Sequence, residues 1–404
     1  SWSTLYFLFL ALMAIRSNQF VGDRHSSTTH MHVITLLLRV CWRLQWFASA
    51  TALAPWPMYG QNPSHSRTHV PLNPLMPTNN QTWTFKAGGW VYAAPCVATD
   101  ESVYFTSWDG YVYAINPDGS QRWRYLVRER EQLWASPALA TLDTPSNVTV
   151  YIGGNKSLIA IRHTEQSGTL VLWSVGTGWP VLASPTVGNT GVVYIGDLGG
   201  VVRAISPSTG RVLWSVSRIN DVAIGPIYAS AAVSNSSMFV ATMLGKVVSL
   251  DCLTGIPRWV VTSSKSPITS SPSLSHDGQT LYVASQDGFF RALHQTNGSV
   301  VWQYNVGFVD GSSPAVSPTD GTVYIGSLDQ HLYAINTDGT LRWKLLSNSP
   351  IQSSPAIGAH GVVYVCSFVG TMYAVHPNAT VMWTAKLGGE TFSSPALGNR
   401  ALYI

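Results

Sequence analysis

The sequence predicts an all-β fold, a β-propeller of about eight four-stranded blades. A tryptophan recurs at intervals of 40 to 50 residues, and a small-small-proline step recurs between successive tryptophans. Each repeat also contains four short runs rich in β-branched and aromatic residues, separated by turn residues. Because a period near 40 residues with four strands per repeat is typical of a propeller blade, the repeats should form one closed body.

Composition narrows the possible functions. Only 10% of the 404 residues are charged, and 23 Lys and Arg stand against 19 Asp and Glu. A sparsely charged, apolar chain of this kind is neither a disordered protein nor a typical nucleic-acid binder. None of the four cysteines has the spacing of a zinc or redox motif. We therefore interpret Cys96 and Cys366 as small buried apolar residues.

Residues 1–54 form an apolar leader. Its two apolar runs, 5–15 and 33–38, are each too short to span a bilayer. Small residues follow the second run at 48–54, as at the end of a signal peptide. We predict translation from Met31, cleavage near Ala50–Ala54, and a secreted, periplasmic or membrane-associated protein, with membrane association possible through the leader. Arg39 and Arg43 interrupt the apolar region, which weakens the signal-peptide interpretation. Because the sequence begins with Ser1 rather than Met, a gene-model artefact in its first residues stays open as an alternative.

Residues 55–80 are predicted to be a linker segment, and residues 81–404 the propeller. The repeat at 312–345 illustrates a blade. Its four strands are predicted at 312–316, 322–326, 331–335 and 341–345. Asp-Gly pairs separate several of them and supply the positive φ that tight hairpins need.

The recurring tryptophans are predicted to be structural. Several of them end a recurring phrase of eleven residues. It begins with Ala, contains Thr or Asn followed directly by Gly, and ends with Trp, as in Ala204 to Trp214 and Ala292 to Trp302. The Ala leaves room, the Gly turns the chain, and the outer-strand ring can pack between neighbouring blades. The predicted docking residues are Trp83, Trp123, Trp173, Trp214, Trp259, Trp302, Trp343 and Trp383.

This phrase resembles the tryptophan-docking motif of the pyrroloquinoline-quinone (PQQ) repeat propellers. The segment Trp56-Pro57-Met58-Tyr59-Gly60-Gln61-Asn62-Pro63 resembles the stretch that precedes such propellers, so the resemblance covers about residues 55–404. The group includes quinoprotein alcohol dehydrogenases and the propeller lipoprotein of the bacterial outer-membrane protein assembly machine. The resemblance therefore implies a fold and leaves the activity open.

The eighth blade is predicted to be incomplete. Seven pairs of a proline position and the tryptophan that follows it, from Pro95–Trp123 to Pro355–Trp383, account for seven blades, with Ala231 at the proline position of the fourth. An eighth begins at Ser393 and takes its fourth strand from Trp83–Phe85, which leaves its third strand missing. We expect from this pattern a chain truncated at its C-terminus, with a weak seam between the last blade and the first.

The enzyme alternative is a PQQ-dependent dehydrogenase. The resemblance would then imply adjacent cysteines, a calcium site and a catalytic Asp. The sequence has no adjacent cysteines and no acidic cluster with calcium-loop spacing. Asp109, Asp287 and Asp329 recur after the second strand and are explained as hairpin residues. We predict no catalytic residues, no metal and no cofactor, with PQQ and calcium expected under the alternative alone.

A binding surface is predicted at the mouth of the central channel, in the residues just before each innermost strand. Three residues before each proline position stand Tyr92, Trp134, Leu182, Tyr228, Thr269, Gly311, Gln352 and Phe392, and Trp90 and Trp179 lie nearby in sequence. The ligand-binding candidates are Trp90, Tyr92, Trp134, Trp179, Tyr228, Gln352 and Phe392.

Two interpretations of these mouth residues stay open. An aromatic arc facing a small, polar arc could hold a protein partner, an extended peptide, a sugar or a flat ligand. Alternatively, the rings simply fill the channel or pack on neighbouring loops. The predicted function is a non-catalytic, exported binding or scaffolding propeller that does not bind nucleic acid.

Overall fold

A computed structural model describes residues 56–69, 82–129, 131–141 and 148–404. All of the described residues belong to one compact unit. The predicted leader, with Met31 and the cleavage region, lies outside them. Within the described ranges, no helix is long and apolar enough to cross a membrane.

The described residues form short β-strands and one turn of 3-10 helix, Ala359–Gly361. In chain order the strands are β1 (Cys96–Val97), β2 (Val103–Thr106), β3 (Tyr111–Ile115), β4 (Gln121–Leu126), β5 (Ala138–Thr141), β6 (Val148–Gly153), β7 (Ser157–Thr164), β8 (Gly168–Gly176), β9 (Thr186–Val187), β10 (Val193–Gly196), β11 (Val202–Ile205), β12 (Val212–Val216), β13 (Arg218–Ile219), β14 (Val222–Ala223), β15 (Ala232–Val233), β16 (Ser237–Ala241), β17 (Lys246–Asp251), β18 (Pro257–Thr262), β19 (Ser273–Leu274), β20 (Thr280–Ala284), β21 (Phe289–His294), β22 (Val300–Asn305), β23 (Ala315–Val316), β24 (Val323–Gly326), β25 (His331–Ile335), β26 (Leu341–Leu346), β27 (Ala356–Ile357), β28 (Val363–Ser367), β29 (Thr371–Val375), β30 (Val381–Lys386), β31 (Ala396–Leu397) and β32 (Leu402–Tyr403).

These strands build seven four-stranded antiparallel sheets, and consecutive strands are neighbours in each sheet. Burial explains their composition. The second and third strands of a blade are buried along most of their length, as in β24 and β25, so Val, Ile and Tyr dominate there. The fourth strand is partly exposed and alternates along its length, as in β26. The predicted propeller of four-stranded blades is confirmed.

The alanine of the repeated phrase lies directly opposite the tryptophan of the same blade. Ala292 pairs with Trp302 between β21 and β22, and the pairing register shifts immediately after the alanine. Ala204 and Trp214 form the same pair between β11 and β12. The small side chain leaves room for the indole on the neighbouring strand, and the bulge turns the ring toward the next blade.

The described residues do not form eight complete blades. Seven blades are complete, and the two-stranded sheet of β31 and β32 occupies the position between the seventh blade and the first. The Ser393 hydroxyl donates to the Ala93 carbonyl at 3.1 Å across this seam. Trp83 lies 5.8 Å from the Tyr403 ring, but residues 83–85 do not form the predicted fourth strand. They contact β32 through side chains and are not paired with it.

Residues Trp56–His69, called here the basal segment, run around the end of the channel opposite the mouth. Trp56 pairs with Val97 of the first blade. Carbonyl groups of the segment then accept backbone N–H groups from the innermost strands of later blades. The donors are Leu139, Val233, Leu274, Val316 and Ile357, at 2.7–3.0 Å. The predicted linker at 55–80 is therefore, over residues 56–69, an integral part of the propeller.

Candidate functional site

A ring of serines surrounds the channel at the small-small-proline steps. The backbone N–H of each serine donates to the hydroxyl oxygen of the serine in the next blade, at 2.9–3.0 Å. The bonds join Ser136 to Ser184, Ser184 to Ser230, Ser230 to Ser271, Ser271 to Ser313, Ser313 to Ser354, and Ser354 to Ser394. Ala94, which has no hydroxyl, holds this position in the first blade. The recurrent serine thus links blades and presents its hydroxyl to the channel.

Tyr59 of the basal segment forms the floor of the mouth cavity. Its hydroxyl lies 3.0 Å from Ser313 Oγ and 2.9 Å from Ser354 Oγ. Tyr59 is not among the predicted site residues, because the segment that precedes the repeats has the features of a linker. The signal that could have found it is the Trp-Pro-Met-Tyr-Gly phrase, which has an aromatic residue beside a flexible glycine.

The eight residues three positions before each proline slot line one cavity of about 80 Å³. Of the seven predicted candidates, Tyr92, Trp134, Tyr228, Gln352 and Phe392 line it. The Tyr92 ring stacks on Phe392 at 5.2 Å and meets Trp134 edge-on at 5.0 Å. These three residues come from adjacent parts of the ring and form a continuous aromatic wall.

Trp90 and Trp179 do not line the cavity. Trp90 is 66% exposed and stacks on Trp108 at 5.4 Å, whereas Trp179 is 58% exposed and lies over Gly199. Trp108, which the sequence analysis missed, joins this surface to the wall because its ring is 4.4 Å from Trp134. The sequence feature that could have indicated Trp108 is the presence of a tryptophan within the turn sequence Ser-Trp-Asp-Gly.

One carboxylate, that of Asp310, adjoins the aromatic and polar sides of the mouth. Its Oδ1 accepts from the Thr269 hydroxyl at 3.0 Å and from Gln286 Nε2 at 3.2 Å. Tyr92 and Tyr228 are hydrogen-bonded to each other, and burial raises the pKa of both hydroxyls, with the Asp310 charge adding to the effect. Both tyrosines are therefore protonated at neutral pH, and the carboxylate provides the negative charge beside the cavity.

The recurring aspartates at the hairpins have the role that the repeat indicates. Oδ1 of Asp109, Asp287 and Asp329 accepts the backbone N–H two residues later at 3.0 Å. Asp287 also pairs with Arg291 at 2.6 Å. These carboxylates stabilise turns.

PQQ is a tricarboxylate quinone, so its binding calls for cationic side chains and, in the dehydrogenases, for calcium. None of the described residues lining the cavity is Lys or Arg, and about 80 Å³ is far below the ~300 Å³ of a typical cofactor pocket. No group of three or more His, Cys, Asp or Glu residues capable of holding a metal occurs in the described ranges. The mouth residues therefore do not fit PQQ with calcium.

The predicted docking tryptophans contact the following blade. Trp214 Nε1 donates to the Cys252 carbonyl at 2.9 Å, and Trp302 Nε1 donates to the Thr337 carbonyl at 2.8 Å. The corresponding bonds of Trp83, Trp173, Trp259 and Trp343 end on the carbonyls of Pro117, Pro207, Gln295 and Pro377. Trp123 instead stacks on His163 at 5.3 Å, and Trp383 belongs to the seventh blade beside the seam.

The face that carries the mouth, called here the loop face, displays many exposed apolar side chains. It consists of the turns between second and third strands and the connections between blades. Its exposed large apolar residues are Trp90, Val91, Trp179, Val222, Met243, Leu244, Phe308, Leu346, Val369 and Leu387. They encircle the channel mouth in nearly every blade. These are ten of the 23 exposed large apolar side chains among the described residues, and most of the others lie on the outermost strands. Exposed apolar residues around a channel mouth are compatible with a protein-interaction surface.

The family model of the outer membrane protein assembly factor BamB matches residues 75–167, 156–327 and 328–404. The chain belongs to the BamB family. The Yersinia pestis outer membrane protein assembly factor BamB is 29% identical over 258 residues, which are 60% of this chain and 60% of that protein. The chain thus spans about 60% of the length of this BamB relative.

Solved structures agree on the fold. The quinohemoprotein alcohol dehydrogenase of Comamonas testosteroni has a TM-score of 0.70 at 16% identity, with 87% of this chain and 76% of that chain covered. BamB of Moraxella catarrhalis has a TM-score of 0.60 at 17% identity, with 82% and 95% covered. At these identities the similarity establishes the propeller architecture, which the BamB family shares with quinoprotein dehydrogenases.

Proposed function

We propose that this chain is a non-catalytic scaffold that binds a partner protein across its loop face during outer-membrane protein assembly. The observation that carries the proposal is the set of exposed apolar residues around the channel mouth, including Trp179 and Phe308. Membership of the BamB family supports a role in this process. The partner would be a protein with an apolar surface, because these exposed side chains can be buried only against apolar groups.

We also propose that the protein works outside the cytoplasm, in the periplasm or on the membrane that borders it. The predicted leader at 1–54 and the assembly role of the BamB relatives support this location. Expression from Met31 in a secreting bacterium, followed by intact-mass analysis, tests it. We expect cleavage near Ala50–Ala54. Retention of the whole leader on cytosolic protein would contradict the proposal.

The scaffold proposal can be tested in Escherichia coli cells that lack their own BamB. The chain, given a bacterial export signal, should restore outer-membrane protein levels. The double variant Trp179→Ser/Phe308→Ser should lose this restoration while still folding. The matched control is Leu253→Ser/Ile256→Ser, which changes two comparably exposed apolar residues on the opposite face. Equal activity of both double variants would contradict docking on the loop face.

The alternative function is a PQQ-dependent dehydrogenase, which is favoured by the similarity to the Comamonas testosteroni enzyme. The lining of the mouth argues against it, because it lacks cationic side chains. Titration of the purified protein with PQQ and Ca²⁺, followed by dye-coupled alcohol oxidation, separates the two. Stoichiometric PQQ binding with turnover would overturn the scaffold proposal.

A further inference from the structure

The mouth cavity combines features that single out one kind of ligand group. Its rim holds the rings of Tyr92, Trp134, Tyr228 and Phe392, and the carboxylate of Asp310 adjoins it. Aromatic faces carry negative potential and attract cations, and the attraction is strongest where water is excluded. A carboxylate beside an aromatic rim reinforces the same preference.

The floor of the cavity offers oxygen atoms in a ring. Five serines of the ring line it, Ser136, Ser184, Ser230, Ser271 and Ser394, and Tyr59 completes the floor with its hydroxyl on Ser313 and Ser354. Each serine oxygen that accepts a backbone N–H keeps a second lone pair. A cationic group that entered past the aromatic rim would meet several acceptors arranged around the channel axis.

The size of the cavity fixes the scale of the ligand. About 80 Å³ admits a few water molecules or one slender side chain. An ammonium group is compact and carries three donors that rotate freely, whereas a guanidinium is a planar fork suited to a single flat acceptor such as a carboxylate. Acceptors distributed in a ring therefore favour the ammonium group.

We propose that the channel mouth binds the side chain of one lysine from the partner protein, with the aromatic rim around its methylene groups and its ammonium group directed at the serine ring. This inference rests on the proposed function, because it names the part of the partner that enters the loop face. Asp310 compensates the ammonium charge, and the exposed apolar ring around the mouth contacts the residues that flank the lysine.

The test uses three pentapeptides that differ at the central residue, Ac-Ala-Ala-X-Ala-Ala-NH2, in which X is lysine, acetyl-lysine or norleucine. Saturation-transfer NMR at millimolar peptide measures binding to the propeller. We expect the lysine peptide to bind at least tenfold more tightly than the other two, with affinity that falls as salt is raised. Equal binding of the three peptides, or binding of none, would overturn the proposal.

Two charge-matched variants locate the site. Asp310→Asn should weaken lysine-peptide binding at least fivefold. Asp277→Asn removes a carboxylate from a turn on the opposite face and should leave binding unchanged. An equal effect of the two variants would point to general charge attraction and overturn the inference. If Asp310→Asn still restores outer-membrane protein levels while Trp179→Ser/Phe308→Ser does not, the scaffold function stands without the lysine site.

Discussion

At the scale of single residues, the indole of each docking tryptophan performs two functions that can be separated. Trp214 packs against Gly255 of the next blade and also donates to the Cys252 carbonyl. We expect Trp214→Phe to lose the hydrogen bond and cost about 1 kcal/mol of unfolding free energy. Trp214→Ala also loses the packing and should cost about 3 kcal/mol. Denaturant unfolding measures both, and equal losses would contradict the packing role.

His65 should make the stability of the propeller depend on pH. Burial, with the nearby Arg67 charge, lowers the pKa of His65 from 6.5 to about 3. The unfolded chain therefore binds a proton between these pH values that the folded chain does not, and stability falls as pH drops from about 6.5 toward 3. The expected slope is about 1.4 kcal/mol per pH unit.

The control for this pH dependence is His65→Asn. Asparagine tolerates the positive φ of 56° at this position and retains a donor for the Pro272 carbonyl, which His65 Nδ1 contacts at 3.1 Å. Its unfolding free energy should change less between pH 6.5 and pH 4 than that of the parent. Burial also lowers the pKa of His69 and of His163, and both contribute to a remaining slope. Identical pH profiles would refute the assignment to His65.

More of the mouth can be located from the sequence than residue type alone would allow. Tyr92, Trp134 and Phe392, each three residues before a proline, line the cavity, because the repeat fixes which backbone position faces the channel. Their binding of a ligand stays a prediction. The repeat pattern could not place Trp90 or Trp179, since loop residues beyond the repeat have no fixed direction. It also missed Asp310, whose significance depends on neighbours from two other blades, Tyr92 and Tyr228.

At the scale of the elements, the serine ring makes each innermost strand depend on the next blade. Ser271→Ala removes the acceptor of the buried Ser230 N–H. A buried donor without a partner costs about 1–3 kcal/mol, so we expect a loss of that size in unfolding free energy. Ser208→Ala, at an exposed turn, should change stability by less than about 0.5 kcal/mol. A Ser271→Ala variant as stable as the parent would show that the Ser230 N–H finds another acceptor.

The strands themselves were predictable because each blade repeats one local pattern of buried runs and turns. The basal segment was not, because residues 56–69 contain no repeat and pair with strands that lie from 41 residues away, at Val97, to 290 residues away, at Ile357. Val316 N–H, for example, donates to the Ser66 carbonyl at 3.0 Å. The fourth strand expected at residues 83–85 also depended on a distant partner, and the contacts there are between side chains.

At the scale of the whole molecule, the basal segment couples blades that are not neighbours. Gly60 has a φ of +79°, and a Cβ at this position would lie 2.7–2.9 Å from the His65 side chain. We expect Gly60→Ala to cost about 2–3 kcal/mol, from the left-handed backbone and the displaced ring. Hydrogen exchange should quicken at the amides of Val233, Leu274, Val316 and Ile357, which lie in four different blades.

Gly278→Ala provides the matched control for Gly60→Ala. Gly278 has a similar φ of +70°, but a Cβ there would meet nothing within 4 Å. Its cost should be about 1 kcal/mol, and faster exchange should stay within the fifth blade, around β19 and β20. If Gly60→Ala changes exchange in one blade alone, the basal segment does not couple the blades.

The floor that Tyr59 and the basal segment form limits how a polypeptide could enter and leave the mouth cavity. Tyr59 lies at the floor of the cavity, and the buried side chains of His65 and Arg67 pack against its ring. If the mouth binds a partner as proposed, we expect a side chain or chain end that enters the cavity to leave by the same route. Release of the partner would then depend on the dissociation rate at the mouth, and passage of a polypeptide from one face of the propeller to the other is not expected.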